Sequence, residues 1–335
     1  MNLKGKTYLV TGGAGFIGSE LCRQLQAADA SVRIVDNLAN GHRENVAEIL
    51  SPNCVLHVTD IRDLESMQTL LTDCDGVFHL ACLGVRHSIH SPMESHEVNA
   101  TATLNLLRLA RETNVPRFVY VSSSEVYGTA QSVPQPEEHP TFPMTVYGAA
   151  KLAGECYTRA FHRTYDYATV VIRPFNSYGP RSHHEGDSGE VIPKFLLRTL
   201  AGKPMVIFGD GSQTRDFTFV SDTARGILEA GLSENTVGET INIGSGFEIP
   251  IRELADEVRC VTGLPDALII HEADRPGDVL RLYSDTSKAQ RLIGFEPRVT
   301  LRDGLTQLLA WYRSQDNSPE EMLRTEIVKN WEVSA

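Results

Sequence analysis

The chain has 335 residues, of which 41% are hydrophobic and 22% charged, with a formal net charge of -12. That length suits a large α/β domain with a smaller lobe, and the composition is that of an ordinary soluble globular protein. An acidic chain repels nucleic acid and anionic membrane, so neither is expected as a partner, and an anionic ligand requires locally placed arginines.

The opening residues MNLKGK run directly into an apolar strand, Thr7 to Thr11. There is no signal-type apolar region and no apolar run near about 18 residues, so no membrane span is expected. The six cysteines, Cys22, Cys54, Cys74, Cys82, Cys156 and Cys260, show no CxxC or Cys/His spacing. Neither a zinc site nor a disulfide framework is expected, and reduced thiols in a cytoplasmic protein are the simplest reading.

After the first strand the pattern predicts a helix from Phe16 to Ala28 and strands at Ser31–Asp36, Cys54–Thr59, Gly76–Leu80, Arg117–Ser122 and Ala168–Arg173. Helix-period stretches at Met93–Thr113 and Thr145–Tyr165 separate the later strands. Strands alternating with helices predict a parallel sheet covered on both faces, with ligands at the carboxyl ends of its strands. After Pro174 the pattern changes: Gly, Pro and charge concentrate between Tyr178 and Gly189. A helix at Val191–Ala201, strands at Met205–Phe208 and Thr240–Ile243 and a helix at Ile251–Thr262 follow. The expected division is 1–175 for a dinucleotide domain, with 218–245 returning to it, 176–315 for an interleaved smaller lobe, and 316–335 for a terminal helix or tail.

The first motif is Gly12-Gly13-Ala14-Gly15-Phe16-Ile17-Gly18, placed between strand and helix. Glycines there let a pyrophosphate approach the backbone, and the helix N-terminus supplies amide donors and a partial positive charge. Gly12, Gly15, Phe16, Ile17 and Gly18 are therefore candidate cofactor contacts; a turn selected only for tight packing is the alternative. Asp36 ends the second strand about 20 residues on, where a carboxylate can bond the adenosine ribose. It repels a 2′-phosphate, which favours NAD over NADP, and Asn37 follows it in a plausible turn. Asp60-Ile61 after the third strand either borders the adenine or caps the next helix.

The second motif is Tyr147-Gly148-Ala149-Ala150-Lys151. Residues four apart on a helix share a face. A neighbouring ammonium is expected to lower a phenol pKa from near ~10, giving a base for a carbinol proton as hydride leaves. Ser122-Ser123-Ser124-Glu125 closes the fifth strand at the ligand edge, where a serine can bond the reacting oxygen or simply cap a turn.

Together with VDN at 35–37, HLA at 79–81, RPFNSYGPR at 173–181, RDFTFVSD at 215–222 and RPGDVLR at 275–281, these motifs resemble the extended short-chain dehydrogenase/reductases of the nucleotide-sugar epimerase/dehydratase family. The resemblance spans nearly the whole chain in family order. It implies a Rossmann-type, doubly wound parallel sheet with a smaller C-terminal α/β lobe for a nucleotide-diphosphate sugar, tightly held NAD, and a homodimer through the two long helices. It implies Leu80 and Ala81 beside the cofactor, Ser123 at the sugar 4-hydroxyl, Tyr147 as base and Lys151 as its partner. Asn176, Arg215, Arg275 and Arg281 fall to the substrate phosphates. Arg86, after the fourth strand with His87 and His90, either reaches the substrate or lies in a solvated loop.

The family's common first step makes a ketone at C4 of the sugar, and the outcomes then diverge. Removal of the proton alpha to that ketone requires a second base. The Ser124-Glu125 pair stands where the family's dehydratases carry theirs, so the reading favours a 4,6-dehydratase with Glu125 as the C5 base. A UDP-glucose 4-epimerase-like activity comes next, because Asp36-Asn37-Leu38 followed by Gly41 resembles epimerases and decarboxylases more than glucose-type dehydratases, and a UDP-glucuronate decarboxylase, whose family members also carry Ser-Glu there, is third. An NAD-binding regulator without catalysis is disfavoured, because Ser123, Tyr147 and Lys151 are all present. The segment Ser182-His183-His184-Glu185 lacks a second spaced ligand set and is read as a polar substrate-side loop, with no metal expected.

Overall fold

The computed structural model describes residues 2–186, 188–274, 279–329 and 331. Its centre is a seven-stranded sheet. The first half supplies β1 (Thr7–Thr11), α1 (Phe16–Ala27), β2 (Ser31–Asp36), β3 (Cys54–Val58), α2 (Leu64–Leu71) and β4 (Gly76–His79). Then come α3 (Val85–His90), α4 (Pro92–His96), a π-helical turn (Glu97–Thr101), α5 (Ala102–Glu112), β5 (Phe118–Val121), α6 (Val146–Tyr165) and β6 (Thr169–Pro174). The strand order is Thr240–Ile243, β6, β5, β4, β1, β2, β3, every pair parallel. The order reverses between β1 and β4, and that switch point opens a crevice at the strands' carboxyl ends.

Alternation along each strand serves two cores, because successive side chains leave opposite faces. Tyr8 and Val10 of β1 join Val32, Ile34, Phe78 and Val119 under α1 and the helix Val220–Leu232. Leu9 joins Val35, Val77, Phe118 and Tyr120 under α2 and α5. The middle of the sheet is buried on both sides, which explains its near-continuous apolar runs. The stretch 92–112 forms one helical run through the π turn, close to the expected 93–113. Val85–His90, which holds Arg86, His87 and His90, is a short helix that starts after Gly84.

The rest of the chain folds around a third core, built from Phe195, Leu196, Leu254, Val258, Leu305 and Leu308 on the helices Val191–Leu200, Ile251–Thr262 and Leu301–Arg313. Small sheets fringe it: Met205–Phe208 with Ile269–Glu272, and Thr214–Arg215 between Ile249–Pro250 and Arg281–Leu282. The stretch after 314, expected as a terminal helix or tail, holds a short helix among its described residues. Ser318 and Glu321 form a capping box on the helix Pro319–Met322, and Met322 and Leu323 enter the third core. Among the described residues no helix is long and apolar enough to cross a membrane.

Candidate functional site

β1 delivers the chain to Gly12 at φ 68°, in the left-handed region where glycine carries no Cβ penalty. A Cβ at Gly12 would lie 2.7 Å from the amide nitrogen of Ala81, and one at Gly18 would run into the Gly12 carbonyl. The turn is thus closed against the Leu80–Ala81 backbone, and α1 starts immediately after it. Gly15, its N-cap, has no side chain to occupy the first-turn amides. Those amides and the helix dipole are left for an anion.

Asp36 is nearly buried at the end of β2. Its carboxylate accepts from the amides of Ala14 at 3.0 Å and Leu38 at 2.9 Å. Burial pushes its pKa up, and those two bonds partly oppose the shift. Gly41 lies so close that a Cβ there would sit 2.7 Å from Oδ1. Asn37 donates to Asp60 at 3.0 Å. Asp60 also accepts two Arg62 bonds, at 2.9 and 2.8 Å, and the guanidinium holds its pKa at about 2. Gly12, Gly15–Gly18, Asp36, Asn37, Asp60, Ile61, Leu80 and Ala81 all line one cavity of about 580 Å³.

The same cavity is lined by Ser122–Glu125, Tyr147 and Lys151. β5 ends at Val121, and Ser123 accepts from the Glu125 amide at 3.2 Å to start a short 3-10 turn, Ser124–Val126. Thr145 caps α6 by accepting from the Gly148 amide at 3.1 Å, so Tyr147 stands on the helix's first turn. Gly148 is the contact point: a Cβ there would lie 2.8 Å from the Glu125 carbonyl oxygen. Only a residue without a side chain lets α6 close on that turn. This packing brings Tyr147 and Glu125 to one wall.

Lys151 is buried, donates to the Val121 carbonyl at 2.6 Å, and lies 4.8 Å from the Tyr120 ring centre. Burial lowers its pKa. The expected effect of Lys151 on Tyr147 is not what the geometry produces. Burial pushes the Tyr147 phenol well up, the Cys82 thiol adds to this, and the Ser123 hydroxyl pulls it back. The ammonium is committed to a carbonyl and a ring face, so it does not offset the desolvation of the phenol. His79 beneath it is buried between Thr11 at 2.7 Å and Thr103 at 2.9 Å, and burial lowers its pKa to about 3. Its imidazole is a neutral hydrogen-bonding strut under the ligand edge.

A second cavity, of about 220 Å³, shares Arg86, Asn176, Ser177 and Glu190 with the first. Arg215 lines its wall together with Val206, Phe208, Gln213 and Ile251. Arg86 and Asn176 thus line both cavities and Arg215 the smaller one. Arg281 lines neither cavity and is ion-paired with Glu248. Arg275 lies outside the described residues. His87 lines the first cavity but pairs with Glu94 at 2.9 Å, and His90 lines neither. Sequence reasoning missed Cys82, Glu190, Phe208 and Trp331. The first two carry no local signal, while the aromatic pair joins distant parts of the chain. Among the described residues no group of three or more His, Cys, Asp or Glu side chains could hold a metal ion.

Residues 9–308 match the family model described as GDP-mannose 4,6 dehydratase. The chain belongs to this family, the NAD-dependent nucleotide-sugar epimerases and dehydratases of the extended short-chain dehydrogenase/reductase type. It is 36% identical over 312 residues to a UDP-glucose 4-epimerase of Mycolicibacterium smegmatis, covering 92% of this chain and 98% of that one. It is 35% identical over 319 residues to UDP-glucuronic acid decarboxylase 2 of Arabidopsis thaliana, covering 93% of this chain and 69% of the relative. Among solved structures, the dTDP-glucose 4,6-dehydratase DesIV of Streptomyces venezuelae, crystallised with NAD, superposes with a TM-score of 0.85 at 35% identity, covering 92% and 97% of the two chains. The family is thus shared by relatives of three different activities.

Proposed function

We propose that this family member converts a nucleotide-diphosphate sugar through a transient 4-ketone and, of the family's outcomes, catalyses 4,6-dehydration. The observation that carries the reading is the shared wall of Tyr147 and Glu125, made by the Gly148 contact. Two proton-handling groups beside one cavity suit elimination, whereas simple inversion at C4 needs only the tyrosine.

The residues present fit NAD. The glycine turn closes on the Leu80–Ala81 backbone, the first-turn amides of α1 carry no side-chain cap beside the cavity that Gly12, Gly15 and Gly18 line, and Asp36 stands at the end of β2 where an adenosine ribose is read. Gly12, Gly15, Phe16, Ile17 and Gly18 would hold the pyrophosphate, and Asp36, Asn37, Asp60 and Ile61 the adenosine end. When bound, NAD would supply the site with a reversible hydride acceptor for the sugar.

The protein's own part is proton traffic. Ser123 fixes the sugar 4-hydroxyl, and Tyr147 takes its proton. Lys151, anchored on Val121, holds positive charge behind the tyrosine. Glu125 takes the C5 proton and hands it to the C6 hydroxyl, which departs as water, and saturating the resulting C5=C6 bond with the returned hydride at C6 takes the proton held by Tyr147 back to C5. Arg86, Asn176 and Arg215 then account for the diphosphate, which an acidic protein binds only through local guanidinium forks and amides.

The likeness to the Mycolicibacterium epimerase supports a second reading, 4-epimerisation, in which Glu125 has no proton to move. A panel of UDP-, dTDP- and GDP-sugars followed by mass spectrometry separates them. A product lighter by one water supports dehydration. Unchanged mass with a new chromatographic peak means epimerisation, and loss of carbon dioxide from a uronate means decarboxylation. A homodimer is supported by the exposed Met93, Leu104 and Tyr165 on the long helices, apolar side chains that a partner's helices would cover. The six unpaired cysteines support a reducing, cytoplasmic setting.

A further inference from the structure

We infer that the stretch from Pro319 to Lys329, with Trp331, is a specificity wall for the nucleotide base, and that Trp331 is its base-contacting residue. The inference rests on the nucleotide-sugar reading above. The family match ends at residue 308, so this wall lies beyond the part shared with the family. It nevertheless lines the 220 Å³ cavity through Glu326, Val328 and Trp331, facing Val206, Phe208, Gln213 and Arg215.

The stretch is built in rather than draped. Met322 and Leu323 are buried in the third core. Glu326 pairs with Arg198 at 2.8 Å, with side chains only 7% and 11% exposed. Lys194 donates to the Ile327 carbonyl at 2.8 Å. Gly186 donates to Thr325 at 3.0 Å and accepts from Ile327 at 3.3 Å, which clips the 183–190 loop to the same wall. Residues of that loop, His183, Ser188 and Glu190, line the larger cavity. One strap therefore bounds the smaller cavity and is bonded to the rim of the larger one.

The order of groups along the space assigns the ligand's parts. Tyr147 and Ser123 line only the larger cavity and mark the sugar end, Asn176 lines both, and Arg215, Phe208 and Trp331 line only the smaller one. A cavity of this size is below the roughly 300–1,000 Å³ that takes a drug-sized ligand, so it suits a base with its ribose. Trp331 stands edge-on to Phe208, ring centroids 4.6 Å apart at 84°. No base slides between rings so close. The pair instead forms a corner with an aromatic face on each side, the surface on which a planar base stacks. The Arg198–Glu326 pair in the same lining offers donors and acceptors to its edge.

The test uses the full-length protein with its bound dinucleotide. Trp311 is the only other tryptophan, so Trp311→Phe leaves Trp331 as the sole reporter. UDP, dTDP and GDP are titrated separately by tryptophan fluorescence and by calorimetry. At least one is expected to change Trp331 emission saturably, and the pyrimidine and purine arms identify which base the corner takes. Trp331→Ala should then raise Kd for that nucleotide about tenfold. KM for its sugar should rise with it while kcat changes little, bound dinucleotide should stay equal to wild type, and Trp331→Phe should restore most of the affinity. Equal affinity of Trp331→Ala and wild type for a nucleotide that both bind overturns this inference alone. Failure of wild type to bind any of the three overturns both it and the nucleotide-sugar reading.

Discussion

Lys151 reaches from α6 to the end of β5, where its ammonium donates to the main-chain carbonyl of Val121 at 2.6 Å. The lysine is thereby a strut between α6 and the strand whose next residues are Ser122–Glu125. Its buried charge is costly, and burial lowers its pKa. Lys151→Met keeps the stem and removes the charge. Turnover should fall on the order of 100-fold or more, the scale of lost acid–base support. The thermal midpoint should move little or upward, because a buried charge is replaced by an apolar group. Turnover close to wild type would remove Lys151 from the mechanism.

Glu125 separates the family's outcomes. Glu125→Gln keeps the size and the backbone contact to Gly148 while removing the base. With the sugar that the wild type dehydrates, loss of water should drop by about 100-fold or more. Reduced cofactor should build up in the variant, visible by its absorbance, because the 4-ketone forms and goes no further. Dehydration at the wild-type rate would reassign the second proton transfer to another group.

Asp36 has both carboxylate oxygens on backbone amides, and a Cβ at Gly41 would press on that carboxylate. Asp36→Asn retains an acceptor and loses the charge. Affinity for NAD should fall about tenfold, the scale of a charged hydrogen bond, while affinity for NADP should rise relative to it. Competition binding monitored by the dinucleotide recovered from the protein gives the ratio directly. An unchanged ratio would mean that selectivity lies elsewhere in the cavity.

The sheet was legible because its strands are short apolar runs buried on both faces, and Thr7–Thr11 and Ser31–Asp36 fall on the expected residues. The glycine turn was legible because its constraint is local. The helix Val220–Leu232 was not. It carries Gly226 and Gly231, which press against Ile243 and Phe78, so packing sustains what propensity disfavours. The placement of Arg281 was hidden for another reason: its partner, Glu248, comes from a different part of the chain. The place of half-buried Glu190 on the walls of both cavities likewise depends on contacts that no local pattern records.

Glu155, one turn after Lys151 on α6, is buried and accepts from Arg173 at 2.8 and 2.6 Å. Arg173 also donates to the Glu137 carbonyl at 3.0 Å and lies 4.6 Å from the Tyr127 ring centre. Arg173→Met leaves a buried carboxylate with Arg159, at 2.9 Å, as its remaining ion partner among the described residues. Stability should fall by about 3 kcal/mol, the lower part of the range for breaking a buried pair. Adding Glu155→Met should recover much of the loss. Urea unfolding of the single and double variants measures both, and a silent Arg173→Met would show that Arg159 alone suffices.

Glu190 gives the pH dependence. Burial raises its carboxyl from an ordinary 4.5 to about 7, against the pull of His183 and Arg86 and with the help of Glu185. The folded protein therefore holds this proton more tightly than the unfolded chain does. The resulting stability is full below about pH 4.5 and is lost as pH rises through about 7. Glu190→Gln has no proton to lose, so its thermal midpoint should fall less than that of wild type over this interval. The same ionisation places a negative charge at the junction of the two cavities, beside Asn176, where the diphosphate is proposed to lie. KM for the nucleotide sugar should accordingly rise above about pH 7 in wild type and stay flat in Glu190→Gln. Parallel KM–pH profiles in the two proteins would detach Glu190 from substrate binding.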